Sequence, residues 1–191
     1  MVFLAKVILA GDGAVGKTAL RRTFMGQNFN GEYQLTIGAD FSIKELFIND
    51  EKDNEQKNIK FQIWDLAGQP RFQEVRSLYY SGVLGALLVY DITRPNSFDH
   101  IPNWLLEIKK YSRRDPVPVI LLANKVDLKD EAEFIIDTSE GQSLSEKIAK
   151  VYFGEENAQE IPYFETSAKT GENVDTAFYK LGEIILKNEE N

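Results

Sequence analysis

The chain contains no cysteine, only one histidine and two methionines in 191 residues. Without cysteine it can form neither a disulfide framework nor a thiol nucleophile, which suits a reducing compartment. Long apolar runs are also missing. Nothing approaches the ~20 apolar residues of a membrane span, and the first apolar run lacks the basic segment of a signal peptide. The one histidine, His100, lies in a helical pattern without metal-ligating neighbours, so we interpret it as incidental.

Basic residues are outnumbered, with 22 Lys and Arg against 30 Asp and Glu, a net charge of −8. This balance argues against a general nucleic-acid or anionic-membrane surface. The last five residues, 187–191, contain no cysteine, so we expect no prenyl group and no covalent lipid anchor on the chain as given. The expectation is a cytoplasmic monomer that binds no nucleic acid and reaches membranes only through partners. Its length suits one domain over 1–191, with a core at about 3–187.

A glycine-rich octapeptide, GDGAVGKT at residues 11–18, is the most informative stretch that is present. It has the G-x-x-x-x-G-K-[ST] spacing of a phosphate-binding P-loop. Gly11 and Gly16 let the backbone approach a polyphosphate closely, and successive amide groups then form an anion-binding nest at a helix N-terminus. Lys17 can reach the β- and γ-phosphates, and Thr18 can offer its hydroxyl to Mg²⁺.

Strand-like and helix-like patterns alternate along the chain. Strand-like runs lie at 2–10, 40–48, 58–65, 85–91, 117–124 and 162–166. Helical apolar spacing occurs at 18–25, 97–111, 139–152 and 174–186. The polar stretch 49–57 favours an exposed hairpin loop. Together these patterns predict a doubly wound α/β sheet with one antiparallel hairpin at its edge.

Polar motifs follow four of the predicted strands, at the sheet edge where ligands bind in open α/β sheets. The P-loop follows the first strand, and the run WDLAGQ at 64–69 ends the third. In that run, Asp65 could hold Mg²⁺ through a water and Gly68 could bring an amide to a γ-phosphate. The other two motifs are NKVD at 124–127 and TSAK at 166–169.

Asp127 selects the base, if its motif is a binding site. A carboxylate only accepts hydrogen bonds, and guanine offers N1–H and N2–H₂ side by side, whereas adenine offers neither in that arrangement. A buried acceptor left unpaired costs about 1–3 kcal/mol or more. Asp127 should therefore favour GTP and GDP over ATP.

These motifs, in this order and spacing, resemble the small GTPases of the Ras superfamily, and most closely the Rab branch. The similarity extends from about residue 6 to 186. It implies a P-loop NTPase (G-domain) fold: a six-stranded mixed sheet with one antiparallel edge strand and about five helices on its two faces. It also implies a Mg²⁺-dependent switch that hydrolyses GTP to GDP and phosphate in trafficking or signalling. Effectors, an exchange factor and a GTPase-activating protein are the implied partners.

The resemblance assigns a role to individual residues. It implies catalytic roles for Lys17, Thr36 and Gln69, with Gln69 orienting the attacking water. It implies Mg²⁺ ligands at Thr18, Thr36 and, through a water, Asp65. The implied nucleotide contacts are Gly13, Ala14, Val15, Gly16, Lys17, Thr18, Ala19, Phe29, Thr36, Gly68, Asn124, Lys125, Asp127, Ser167, Ala168 and Lys169. In Rab proteins, residues matching Phe41, Trp64 and Tyr79 form an aromatic triad that effectors read; half-buried core aromatics are the alternative for this chain.

Two rival interpretations remain open at this stage. Pro70 follows Gln69 where the family usually has an acidic residue, and proline pushes the preceding residue toward extended backbone. If that misplaces Gln69, the protein is a GTP-binding scaffold with little hydrolysis. A P-loop kinase of a small metabolite is the other rival, but the sequence shows no arginine-rich lid. Because residues 29–41 contain no arginine to serve as an internal finger, hydrolysis should be slow without a partner.

Overall fold

A computed structural model describes residues 2–29, 36, 38–49, 56–114, 116–156 and 159–189. Within these residues, six strands form one sheet. The strands are β1 (Phe3–Ala10), β2 (Ala39–Asn49), β3 (Gln56–Leu66), β4 (Gly85–Asp91), β5 (Val119–Asn124) and β6 (Tyr163–Thr166). Their order is β2-β3-β1-β4-β5-β6, and only the pairing of β2 with β3 is antiparallel.

Helices cover the sheet on two sides. They are α1 (Lys17–Phe24), α2 (Gln73–Ser77), α3 (Pro95–Asp99), α4 (Ile101–Tyr111), α5 (Thr138–Phe153) and α6 (Val174–Glu189). Because α3 and α4 follow one another with only His100 between them, the described part of the chain has five helical regions, as expected. Short 3₁₀ turns lie at Pro70–Phe72 and Val126–Leu128.

The hydrophobic core is divided by the sheet into two layers. In β1, Ile8 faces the layer that contains α4 and α5, whereas Leu9 faces the layer that contains α1 and α6. Every residue of β4 and of β5 is buried, which explains why these central parallel strands read as continuous apolar runs. The sheet therefore presents its carboxyl edge as a rigid platform for the loops that follow β1, β3, β5 and β6.

The predicted elements agree with the structure to within about three residues, apart from two features. The sequence analysis missed α2, and it ran one helix through His100. The first two residues of α2, Gln73 and Glu74, are exposed, so this five-residue helix shows little apolar periodicity. Within the predicted hairpin loop, residues 50–55 lie outside the described part of the chain; the strands on either side pair from Asn49 with Gln56 onward.

Candidate functional site

The P-loop joins β1 to α1, and its glycines are required by close backbone contacts. Gly11 has a φ of +146°, and a Cβ there would lie 2.1 Å from the Val89 carbonyl oxygen. Gly16 has a φ of +101°, and a Cβ there would lie 2.2 Å from the side-chain nitrogen of Asn124. Both positions therefore exclude a side chain. The loop passes tightly over β4 and against the residue that ends β5.

Lys17 is buried beneath the P-loop. Its Nζ donates to the carbonyl oxygens of Gly11 and Asp12, each at 2.7 Å. Burial lowers the pKa of Lys17 to about 8, and the nearby carboxylates of Asp65 and Asp12 oppose that shift. A buried ammonium group at the centre of an amide nest favours binding of a multiply charged anion.

The three residues proposed to bind the metal lie together. Thr18 Oγ1 donates to Asp65 Oδ2 at 2.5 Å. Thr36 Oγ1 lies 3.1 Å from Thr18 Oγ1 and donates to the same carboxylate oxygen at 3.4 Å. Thr18 lies in the first turn of α1, Asp65 lies near the end of β3, and Thr36 precedes β2. Residues 30–35 and 37, which flank Thr36, lie outside the described part of the chain.

The carboxylate of Asp65 fits a divalent cation. Asp65 is fully buried, its Oδ1 has no hydrogen-bond partner among the described residues, and burial raises the pKa of this carboxyl despite the neighbouring Lys17. Two hydroxyls and a carboxylate are the hard oxygen ligands that Mg²⁺ prefers when substrate phosphates complete its shell. Within the described residues, no cluster of three or more His, Cys, Asp or Glu could hold a metal by itself. Such a site would depend on the nucleotide.

The segment after β3 lies directly against the P-loop. A Cβ on Gly68 would meet the backbone of Asp12 at 2.3 Å and of Gly13 at 2.4 Å, so only glycine fits. Gln69 follows with φ −80° and ψ 141°, the extended backbone that a following proline predicts. Its Cγ lies 3.6 Å from where a Cβ on Gly13 would stand, which puts the glutamine beside the loop. Pro70 then opens the 3₁₀ turn, a position that suits its fixed φ.

Asn124 ties the loops after β1, β5 and β6 together. Its Nδ2 donates to the Val15 carbonyl oxygen at 2.8 Å. Its Oδ1 accepts from the Ala168 amide and the Thr166 hydroxyl, each at 3.3 Å. This buried side chain therefore connects the phosphate loop with the two loops assigned to the base.

Asp127 faces the loop after β6. Its Oδ1 accepts from Ser167 Oγ at 2.6 Å, and its Oδ2 lies 3.7 Å from Lys169 Nζ. Lys125 has a left-handed φ of 72° and pairs with the buried carboxylate of Asp91 at 2.6 Å. The sequence reading did not single out Asp91.

Of the remaining predicted nucleotide contacts, Ala19 lies in α1 and packs, partly buried, against the core layer that contains α1 and α6. Phe29 is 46% exposed.

The family comparison agrees with this arrangement. The family model described as Ras family matches residues 6–187, nearly the whole chain. The chain belongs to the Ras family.

Relatives of this Ras-family protein include several Rab proteins. It is 42% identical over 188 residues to "Ras-related protein Rab-2B" of Dictyostelium discoideum, covering 98% of this chain and 83% of the relative. It is 40% identical over 188 residues to "Ras-related protein Rab7" of Drosophila melanogaster, covering 97% and 80%. With "Ras-related protein SEC4" of Candida albicans the identity is 36% over 190 residues, covering 98% and 81%. Membership of this small-GTPase family implies guanine-nucleotide binding and GTPase activity.

Three aromatic residues of this Ras-family protein, Phe41 on β2, Trp64 on β3 and Tyr79 just after α2, form an aromatic cluster. The Phe41 and Trp64 rings stack with centroids 5.0 Å apart, and the Trp64 and Tyr79 rings lie at 5.1 Å. All three side chains retain solvent exposure, and Phe41 is 48% exposed. The cluster is therefore a surface feature as well as a packing contact.

Several contacts of this Ras-family protein near the P-loop were not predicted from the sequence. Asp12 accepts from Trp104 Nε1 at 2.8 Å and pairs with His100 Nδ1 at 2.7 Å, so His100 contacts the phosphate loop and is not incidental. Arg94 donates to the Gly13 carbonyl oxygen at 2.7 Å. These contacts join the P-loop to α3 and α4 across about 80 to 90 residues of sequence, a pairing for which a single sequence carries no local signal.

None of the described helices is long and apolar enough to cross a bilayer.

Proposed function

We propose that this protein is a Rab-like molecular switch that binds GTP and hydrolyses it to GDP and phosphate. The observation that carries the proposal is the convergence of Thr36 on Thr18 and Asp65 beside the buried Lys17. Thr36 comes from a segment outside the P-loop, and its hydroxyl lies where it would meet the Mg²⁺ and γ-phosphate of a bound GTP. A loop that is ordered by the γ-phosphate and released on hydrolysis is a switch.

Each residue has a distinct task in this mechanism. Lys17 and the P-loop amides hold the β- and γ-phosphates and stabilise charge that develops on the leaving oxygen. Thr18, Thr36 and, through a water, Asp65 would hold Mg²⁺, which when bound would neutralise charge on the phosphate oxygens. The Gly68 amide would donate to the γ-phosphate, and Gln69, which lies beside Gly13, would orient a water for in-line attack. Asn124, Asp127 and the loop at 166–169 would bind guanine.

Gln69→Leu should slow single-turnover hydrolysis of bound GTP by about 10-fold or more, because leucine cannot hydrogen-bond the attacking water. The affinities for GTP and GDP should stay close to the wild-type values. Gln73→Leu is the matched control, since it makes the same change four residues later at an exposed position. Equal hydrolysis rates for wild type and Gln69→Leu would remove Gln69 from the mechanism.

A GTP-binding scaffold is the second candidate, and Pro70 is the observation that favours it. The proline gives the loop no amide hydrogen directly after Gln69 and favours the extended backbone that Gln69 adopts. Stoichiometric GTP that releases no phosphate over many hours would establish the scaffold. Phosphate release at a slow but measurable rate, lost in Gln69→Leu, would exclude it.

Partners complete the proposal. The protein lacks an arginine in 29–41, so an activating protein that supplies one would speed hydrolysis, and an exchange factor would reload the site. Effectors would read the aromatic cluster in the GTP state, and such partners would bring the protein to membranes in intracellular trafficking. The Rab relatives support this role.

Phe41→Ala should abolish the capture of effectors that bind the GTP-analogue form and not the GDP form. Loss of this ring removes a large exposed apolar contact from the aromatic cluster. Phe47→Ala is the control, because Phe47 lies on the same strand and is 54% exposed but is six residues away. Partners captured equally in both nucleotide states would argue against a switch.

A further inference from the structure

A buried arginine joins the segment after β3 to α4. Arg76 lies in α2, and only 3% of its side chain is exposed. Its Nη1 donates to the carbonyl oxygens of Ala67 at 2.9 Å and Gln69 at 2.8 Å. Its Nε and Nη2 donate to the two carboxylate oxygens of Glu107 in α4, at 3.0 and 3.1 Å. The guanidinium group thus makes four hydrogen bonds in a planar fork, which a lysine cannot reproduce.

The guanidinium group of Arg76 is surrounded by groups that stabilise its position. The carboxylate of Glu107 is 9% exposed and also accepts from Tyr80 OH at 2.8 Å. Burial, with Glu107 beside it, raises the pKa of Tyr80, so its hydroxyl stays protonated and keeps donating. The guanidinium carbon lies 4.4 Å from the ring of Trp104, whose indole nitrogen donates to Asp12 in the P-loop. One face of α4 therefore holds both the P-loop and the segment that carries Gln69.

The two carbonyls that Arg76 binds lie on either side of Gly68. The same Gln69 carbonyl also accepts from the amide of Phe72 at 3.0 Å, across the 3₁₀ turn that Pro70 begins. Between Gln69 and Phe72 the proline provides no amide hydrogen of its own. The side chain of Arg76 therefore donates to two main-chain carbonyls, and these hydrogen bonds fix the backbone of Gly68 and Gln69 against the P-loop.

We propose that Arg76, held by Glu107, is the positioning residue for Gln69. The proposal rests on the proposed function, since its consequence is a hydrolysis rate. Arg76 does not reach the phosphates itself; it orients the peptide from which the glutamine side chain and the Gly68 amide project. A displacement of about 1 Å in a reacting group can cost 100-fold in rate, so loss of this arginine should slow hydrolysis by about 10-fold or more.

Arg76→Gln, with Arg71→Gln as the matched control, tests the proposal in the full chain. Arg71 is exposed on the same segment and lies over the Phe72 ring, so its loss removes the same charge without touching Gln69. We expect Arg76→Gln to lower the single-turnover rate by about 10-fold and to leave GDP affinity within about twofold. Arg71→Gln should keep the wild-type rate. A residue needed only for folding would lower nucleotide affinity and rate together.

Arg76→Gln leaves Glu107 buried without its counter-ion, which can unfold the protein. The double variant Arg76→Gln/Glu107→Gln removes both charges and leaves no unpaired buried carboxylate, but one shorter amide group cannot replace the four hydrogen bonds of the guanidinium group. It should remain slow. A double variant that hydrolyses GTP at the wild-type rate would overturn the proposal.

Hydrogen exchange separates this proposal from the proposed function. With a non-hydrolysable GTP analogue bound, the amides at 66–76 should exchange faster in the double variant than in wild type and Arg71→Gln. If the wild type releases no phosphate, the proposed function fails, and the exchange measurement still decides the role of Arg76. Unchanged exchange in this segment would overturn the positioning role.

Discussion

Asp127→Asn should lower the affinity for GTP by about 100-fold or more and shift the preference of the site to xanthosine triphosphate. The carboxylate can accept from both donors on the guanine edge, whereas an asparagine presents one acceptor and one donor. Xanthine keeps N1–H but has a carbonyl where guanine has its amino group, so it matches the asparagine. Sites that hydrogen-bond a substrate group reject analogues with the wrong group by large factors.

The local geometry makes this change clean. Asp127 is already oriented by Ser167 and lies near Lys169, so the variant side chain should take up nearly the same position. Asp130→Asn is the control, since it makes the same change three residues away at an exposed position. Calorimetric titration with GTP, xanthosine triphosphate and ATP measures the outcome. An unchanged GTP affinity in Asp127→Asn would show that the base binds elsewhere.

Much of the fold and the four site loops could be predicted from the sequence because their signals are local. The P-loop octapeptide, the apolar runs of β4 and β5 and the polar residues at strand ends are each contained in about ten residues. Parallel strands in a doubly wound sheet bring such ends to one edge. For that reason, the meeting of Thr18 and Asp65, which are 47 residues apart, follows from the fold class.

The contacts that support the site could not be predicted because their partners are distant and chemically ordinary. In the sequence, Arg76 resembles an ordinary solvated residue of a polar segment. In the structure it pairs with Glu107 on α4, which lies 31 residues later. Asp12 and His100 are 88 residues apart. Whether a charged residue is buried depends on which elements pack over it. A single sequence does not show how α2 packs against α4, so the burial of Arg76 could not be predicted.

Lys17→Met should weaken GTP binding by about 100-fold or more, because it removes the buried positive charge at the centre of the P-loop. Truncating one member of a buried charged contact typically costs 2–5 kcal/mol or more in binding. Lys150→Met is the control, since it makes the same change at an exposed position in the last turn of α5. Fluorescence competition with a labelled GDP measures both affinities. Equal affinities for wild type and Lys17→Met would remove Lys17 from phosphate binding.

The same lysine should leave a signature in the stability of the metal-free, nucleotide-free protein. Burial lowers the pKa of Lys17 from 10.5 to about 8, so the folded state binds this proton less tightly than the unfolded chain does. The resulting penalty, about 3 kcal/mol, is fully present below pH 8. It is relieved as the pH rises from about 8 to 10.5. The free energy of unfolding of the wild type should therefore increase over this window relative to Lys17→Met, whose methionine does not titrate.

Denaturant unfolding at pH 7 and pH 10, in the presence of a chelator, measures this difference. Lys150→Met should follow the wild type, because it retains Lys17 and changes only an exposed side chain. Parallel pH profiles for wild type and Lys17→Met would mean that the ammonium is better solvated than its burial indicates. The expected divergence would show that the empty P-loop stores an unfavourable buried charge, which the phosphates of a bound nucleotide neutralise. The charge of Lys17 that destabilises the nucleotide-free protein is then the one that favours nucleotide binding.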